Sequence, residues 1–263
     1  MAVQIPATGE NEYKERYVAF LDLLGFKVLV DAAERVAQEQ ERLKEVLELL
    51  SQTLCNNSRL GSRFSYFSDC IIISADATPE ALFDIFHSVE TLTRNLLQFD
   101  VFVRGGIARG GAFHSTQFVY GTAVSRAVII EKEKAVDPLT LLSSEVYADV
   151  KALDPQFLRW LESDGPDRFF VHYLMDYAGY HKTPPLPGKV SLDVDAERIA
   201  FFISRRLLCN SDRVLEKAKW FQDYWNRTVA RQDGFAEIKA NPLLAEPTGP
   251  QTTIVRRLLA PIR

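Results

Sequence analysis

Two aspartates far apart in the chain, Asp22 and Asp69, each sit where a strand would deliver a carboxylate to its end. Asp22 closes the apolar run Tyr17-Val-Ala-Phe-Leu-Asp22, the pattern of a buried strand that stops at a polar residue. Asp69 lies with Ser68 in the middle of Phe64-Ser-Tyr-Phe-Ser-Asp-Cys-Ile-Ile-Ile-Ser74, interrupting an aromatic and β-branched stretch like the tip of a hairpin. Two carboxylates brought together can hold two divalent ions, which neutralise a crowded triphosphate and lower the pKa of an attacking hydroxyl. Magnesium or manganese suits such oxygen donors. Either aspartate alone reads as a helix cap or a turn residue; brought together by the fold, the pair is placed for phosphoryl transfer.

The elements around these residues must bring them together. Gly25 permits a sharp turn after the first strand, and apolar residues at helical spacing from about Val28 to Leu54 predict one long amphipathic helix. Thr78-Pro79-Glu80 starts a second helix, with Leu82, Phe86, Val89, Leu92 and Leu96 as its apolar stripe and an end near Gln98. Val101 to Phe113 reads as a strand and its hairpin return, with glycines where backbone or ligand approaches closely. Gly121 to Lys134 reads as helical, Leu139 to Ser143 as a strand, and Ser143 or Ser144 as the cap of a short helix through Lys151. Arg168 to Tyr177 is a further strand candidate.

The order β-α-β-β-α-β predicts an α+β fold, a ferredoxin-like, antiparallel-rich sheet with helices on one face, in which the first strand lies beside the hairpin. Lys182-Thr-Pro-Pro-Leu-Pro-Gly188 is the clearest linker, followed by helix candidates at 195–208 and 212–229 whose Phe221 and Trp225 stripe suits a core or dimer contact. The expected domains are 13–181 for the chemistry, 182–233 for linker and C-terminal helices, and 234–263 for an irregular tail.

A net charge of -4 argues against a protein whose main work is gripping nucleic acid, although a cluster of arginines or a metal can still hold a small anion. Three cysteines, Cys55, Cys70 and Cys209, odd in number and without CxxC spacing, suggest neither a disulfide framework nor a zinc site. The first residues lack a basic segment followed by an apolar run, and no stretch approaches the roughly 18 apolar residues of a membrane helix, so a soluble, cytoplasmic protein is expected.

Phe20-Leu-Asp22-Leu-Leu-Gly25-Phe26, then Ser68-Asp69, then Arg104-Gly-Gly-Ile107, then Gly121-Thr-Ala-Val124 resembles the class III nucleotidyl cyclases over roughly residues 17 to 150. Within that superfamily the chain is most similar to the bacterial antiphage pyrimidine cyclases of Pycsar systems, which carry a C-terminal motif similar to Lys219-Trp220-Phe-Gln-Asp-Tyr224-Trp-Asn226. The resemblance implies two manganese or magnesium ions per site, held by Asp22 and Asp69 with a backbone carbonyl from Leu23. It places Phe20, Leu24, Gly25 and Phe26 among the substrate-binding positions, the backbone from Leu24 to Phe26 cradling the triphosphate with unpaired N–H groups and the helix dipole. It also implies a head-to-tail homodimer with active sites at its interface, and a cyclic pyrimidine nucleotide that activates a separate effector.

Departures from the purine-specific pattern bear on the substrate. The base-reading positions fall near Ser65 or Tyr66 and at Phe118, so a bulky aromatic replaces a polar reader, and a filled pocket would disfavour the larger base. Ser125 and Ile129 stand where purine cyclases carry the asparagine and arginine used on the transition state. Arg126, Arg104 or Arg109 is then left to neutralise developing charge, with Arg126 taken as catalytic and Arg104 as substrate-binding. Glu131 is expected as a salt-bridge partner, and His114 and His172 as structural. The expected reaction converts UTP, with CTP second, to the 3′,5′-cyclic monophosphate and pyrophosphate. Two other readings stay open, a purine cyclase and a non-catalytic cyclase-like module that binds nucleotide or a partner protein.

Overall fold

A computed structural model describes residues 12–57, 62–179, 192–231 and 235–239. Its backbone begins with β1 (Lys14–Leu24), whose Tyr17, Ala19, Leu21 and Leu23 are all buried on one face. Gly25, at φ 86, makes the turn into α1 (Phe26–Ala33), and α2 (Ala37–Asn57) follows. The hairpin is β2 (Arg63–Phe67) and β3 (Cys70–Asp76), and α3 (Pro79–Leu97) leads to the long β4 (Phe102–His114). Short β5 (Val119–Gly121) pairs with the end of β4, then come α4 (Thr122–Glu133), β6 (Thr140–Leu142) and α5 (Ser144–Ala152). Two further short strands, β7 (Leu161–Ser163) and β8 (Phe169–Val171), complete a sheet of order β2-β3-β1-β4-β6-β8-β7.

The first four positions, β2-β3-β1-β4, are antiparallel throughout and form the ferredoxin-like arrangement expected from the element order. Only β6 runs parallel to its neighbour β4. The face carrying Tyr17, Ala19, Leu21, Ile71, Ile73, Val103 and Ile107 is closed to water. Buried stripes on α2 (Val46, Leu50, Leu54) and α3 (Leu82, Ile85, Phe86, Val89) supply apolar cover for such a surface. Tyr17 Oη donates to Asp149 of α5 at 2.9 Å, which puts α5 toward that same face.

The structure adds one helix on the opposite face. A Cβ at Gly106 would stand 2.5 Å from the Ala127 carbonyl oxygen and 2.6 Å from Ile130 Cβ, so α4 lies directly on β4 where glycine leaves room. Gly106 pairs with Phe20, and that register puts α4 on the Asp22 face.

Three expected elements came out differently. Val101–Phe113, expected as a strand with its hairpin return, is the single strand β4, and the return comes later as β5. The single helix from Val28 to Leu54 is broken at 34–36, because nothing between Ala33 and Val46 is buried and Val36 is 49% exposed. Each half therefore follows its own stripe. The strand expected over Arg168–Tyr177 stops at Val171, and Met175–Ala178 forms a turn of 3-10 helix closed by Gly179 at φ 77.

By compactness the chain divides into two units, Met1–Asn95 with Val101–Tyr173, and Leu96–Asp100 with Leu174–Arg263. Within the second, α6 (Leu192–Arg206) and α7 (Asp212–Val229) lie near the expected helices. Trp225 Nε1 donates to the Ala236 carbonyl at 3.0 Å, and Asn226 Oδ1 accepts from Ile238 N at 2.8 Å, so α7 holds the non-regular segment 235–239. Phe221 and Trp225 are fully buried, as a core stripe should be. The Lys182–Gly188 linker and the tail beyond 239 lie outside the described residues. No helix among the described residues is long and apolar enough to cross a membrane.

Candidate metal centre

Strand register decides what Asp22 meets. It pairs with Cys70 on β3 and with Arg104 on β4, and directly opposed residues share a face, so the three side chains stand together. Asp69 arrives from the two-residue turn of the hairpin, in which Ser68 takes the left-handed conformation at φ 56. Leu23 N donates to the Asp69 carbonyl at 2.9 Å and fastens that turn against the end of β1. One ligand atom each from Asp22, Asp69 and Cys70 lies within 4.8 Å of the others.

Arg104 Nε donates to Asp22 Oδ2 at 2.9 Å and stands 2.8 Å from Glu131 Oε1 on α4. The N–H is aligned on Asp22. Glu131 Oε1 therefore accepts no hydrogen bond among the described residues, though its side chain is only 3% exposed. Burial pushes the Glu131 carboxyl upward, assisted by the charges of Asp22 and Asp69, while Arg104 and Lys132 pull it down.

Burial, followed by the charges of Asp69 and Asp22, raises the Cys70 thiol to about 11. It stays protonated at neutral pH, with Sγ 3.7 Å from Asp69 Oδ1, and so offers no thiolate. The charged donors are oxygens, which fits a hard divalent ion such as magnesium or manganese better than a soft one. Beside them, α1 begins at Gly25 with no side-chain cap, leaving its first N–H groups and the positive end of the helix dipole for an anion. Phe20 shares the Asp22 face two residues earlier and is half-buried.

A second set of residues gathers elsewhere on the same sheet. Ser65, Tyr66 and Phe118 line one open groove of about 1130 Å³, with Lys14, Arg16, Arg63 and Asp76. Phe118 is 63% exposed at its edge and does not close the groove, so its bulk excludes no base from this protomer. Buried His114 ties the nearby strands together, Nε2 2.9 Å from Ser65 Oγ and Nδ1 2.7 Å from Ser74 Oγ. Burial, with Arg16 and Arg63 beside it, lowers its pKa to about 4 and keeps the ring neutral.

Arg126 lines a separate depression with Tyr13, Tyr120, Ser125 and Ile129, and its Nη1 donates to the Arg109 carbonyl at 3.0 Å. Arg109 itself is held by Glu15 and Asp149. Along β4, Arg109 is five residues from Arg104, about 17 Å at the rise of an extended strand. Of the three arginines considered from sequence, Arg104 alone contacts the aspartates.

No protein-family model matches the chain, and no curated protein matches it. Solved nucleotidyl cyclases resemble it in fold. One is a bacterial light-regulated adenylyl cyclase, at 15% identity and TM-score 0.40, over 64% of this chain and 55% of that one. Another is the catalytic core of a rhodopsin-guanylyl cyclase bound to ATPalphaS, at 16% identity and TM-score 0.40, over 62% of this chain and 98% of that one. A third is a class III adenylyl cyclase-like ATP-binding protein from Pseudomonas aeruginosa, at 12% identity and TM-score 0.40, over 61% of this chain and 38% of that one. The chain thus spans about half the length of the light-regulated cyclase.

Sequence reasoning named Glu131 only as an ion-pair partner and left out Arg16 and Cys70. Cys70 follows Asp69 directly, and strand pairing with Asp22 is what makes it a neighbour. Arg16 gave no such signal, since a cation at the start of a strand reads as solvent-facing.

Proposed function

We propose that this chain is a metal-dependent nucleotidyl cyclase that converts UTP, with CTP second, to the 3′,5′-cyclic monophosphate and pyrophosphate. The observation that carries this reading is the convergence of the Asp22 and Asp69 carboxylates, distant in sequence, beside Arg104 and the uncapped start of α1. Asp22 and Asp69 would hold two ions, with the Leu23 carbonyl assisting; when bound, these supply charge neutralisation and a lowered pKa for the ribose 3′-hydroxyl. The N–H groups at Leu24–Phe26 orient the triphosphate, and Arg104, kept at the site by Glu131, offsets charge on its oxygens. The hydroxyl gives its proton to solvent water, its oxygen bonds the α-phosphorus, and the bond from that phosphorus to the oxygen bridging the β-phosphate breaks to release pyrophosphate.

The separation of the groove and Arg126 from the aspartates supports a homodimer. Arg16 in the groove and Asp22 are six residues apart on β1, about 20 Å along an extended strand, more than the reach from base to α-phosphate in one nucleotide. A head-to-tail pair would bring the groove and Arg126 of one protomer to the aspartates of the other, with Arg126 as the catalytic arginine. Preference for uracil, a role for the product as second messenger in bacterial antiphage defence, a cytoplasmic setting and a separate effector follow from the sequence resemblance. Pyrophosphate release from UTP in manganese tests the reading: it should be measurable for the intact protein and lost in Asp69→Asn. Equal release by both would remove the carboxylate pair from the chemistry.

A further inference from the structure

We infer that Arg104 couples cation binding to anion binding: a divalent ion competes with its guanidinium for Asp22, and Glu131 takes Arg104 over as Asp22 turns to the ion. This deepens the cyclase reading and rests on its choice of Asp22 and Asp69 as ion ligands.

Three carboxylates and one guanidinium meet here. Arg104 Nε donates to Asp22 Oδ2 at 2.9 Å, and Asp69 brings a second carboxylate whose oxygen lies within 4.8 Å of that of Asp22. Two ions shared by two aspartates draw on both oxygens of each, so the ions need the Oδ2 to which Arg104 donates. A guanidinium beside those ions is also repelled by them. It needs another acceptor close by.

Glu131 is that acceptor. Its Oε1 lies 2.8 Å from the same Nε, its side chain is 3% exposed, and that oxygen accepts no hydrogen bond among the described residues. The N–H has only to tilt from one oxygen to the other. Ala127 and Ile130 meet β4 at Gly106, which fixes this stretch of α4 against the sheet and keeps Glu131 within reach. The Arg104 side chain is 29% exposed, and its terminal amino groups bond nothing among the described residues, so they stay open to phosphate oxygens. An ion on Asp22 takes up the negative charge that otherwise offsets Arg104, and the guanidinium then attracts phosphate more strongly. By reciprocity, phosphate on Arg104 loosens its hold on Asp22 and favours the ion.

The test is Mn2+ binding to the intact protein without nucleotide, read from the electron paramagnetic resonance of free Mn2+. Arg104→Gln, which removes the competitor, should bind Mn2+ about tenfold more tightly, and Glu131→Gln about tenfold more weakly. In the Arg104→Gln background, Glu131→Gln should change the affinity by less than about threefold, because its effect passes through Arg104. An equal loss in both backgrounds would mean that Glu131 attracts the ion by charge alone, and would overturn the inference. So would an Arg104→Gln protein that binds Mn2+ no better than its parent. A further check needs neither glutamine variant: the Arg104 Nε–H resonance, assigned by its loss in Arg104→Lys, should move as Mg2+ is added. An unmoved resonance at saturating Mg2+ would overturn the coupling. Non-additive Mn2+ affinities without any cyclic product from triphosphates would sink the cyclase reading and leave the coupling standing, and cyclic product with additive affinities would do the reverse. A parent protein that binds no Mn2+ would sink both.

Discussion

Arg104 Nε donates to Asp22 at 2.9 Å while standing 2.8 Å from Glu131, so one guanidinium links the strand-end carboxylate to a buried acid on α4. Glu131 can keep Arg104 in place when Asp22 turns to another cation. A buried carboxylate whose Oε1 accepts no hydrogen bond contributes little to net stability, because desolvation offsets its attraction to Arg104. Glu131→Gln should therefore leave the urea midpoint within about 1 kcal/mol of the parent protein while lowering kcat/KM about tenfold. A loss of several kcal/mol with unchanged turnover would make Glu131 a structural clamp instead.

The aspartates should behave in the opposite sense to ordinary core residues. Like charges whose oxygens approach within 4.8 Å repel, so Asp69→Asn should melt at or above the parent temperature, while Asp22→Asn also gives up its ion pair with Arg104 and should gain less. Turnover in each should drop by at least about 100-fold, since each removes an ion ligand. Melting curves paired with a pyrophosphate assay check both halves.

His114 predicts a pH dependence of folding. Its folded pKa, about 4, lies below the ordinary histidine value, so the unfolded chain takes up a proton first as pH falls. Its stabilisation is complete above about pH 6.5 and is lost progressively down to about pH 4, a change on the order of 3 kcal/mol. Urea unfolding at several pH values, compared with His114→Gln, isolates this part; parallel curves for the two proteins would refute it.

Gly106 predicts a packing limit. The Cβ position collides with Ala127 and Ile130 of α4, so Gly106→Val should cost about 1–3 kcal/mol or more and displace the helix that carries Glu131. Activity should fall with stability, and a melting point within a degree of the parent would contradict the close approach of α4 to β4.

Much of this arrangement was legible from residue pattern. The strand ending at Asp22, the turn at Ser68-Asp69 and the helix beginning at Pro79 all depend on local signals, and β-α-β-β-α-β leaves few ways to order the sheet. What pattern could not supply was long-range pairing. Only the register of β1 with β4 puts Arg104 on Asp22, and only the thinness of glycine at 106 admits α4 to that face. The burial of Arg16 was hidden for the same reason, since a cation in a strand reads as a solvent-facing residue until the neighbouring strands are in place. The break at 34–36 was missed because Val36 fits the helical spacing and yet has no surface to bury against.

Chromatographic identification of the products formed from an equimolar mixture of UTP, CTP, GTP and ATP with manganese is the most direct test. Cyclic UMP with stoichiometric pyrophosphate, and cyclic CMP as the lesser product, is the predicted outcome. Cyclic AMP or cyclic GMP as the main product, or no cyclic nucleotide from any of the four, would contradict it.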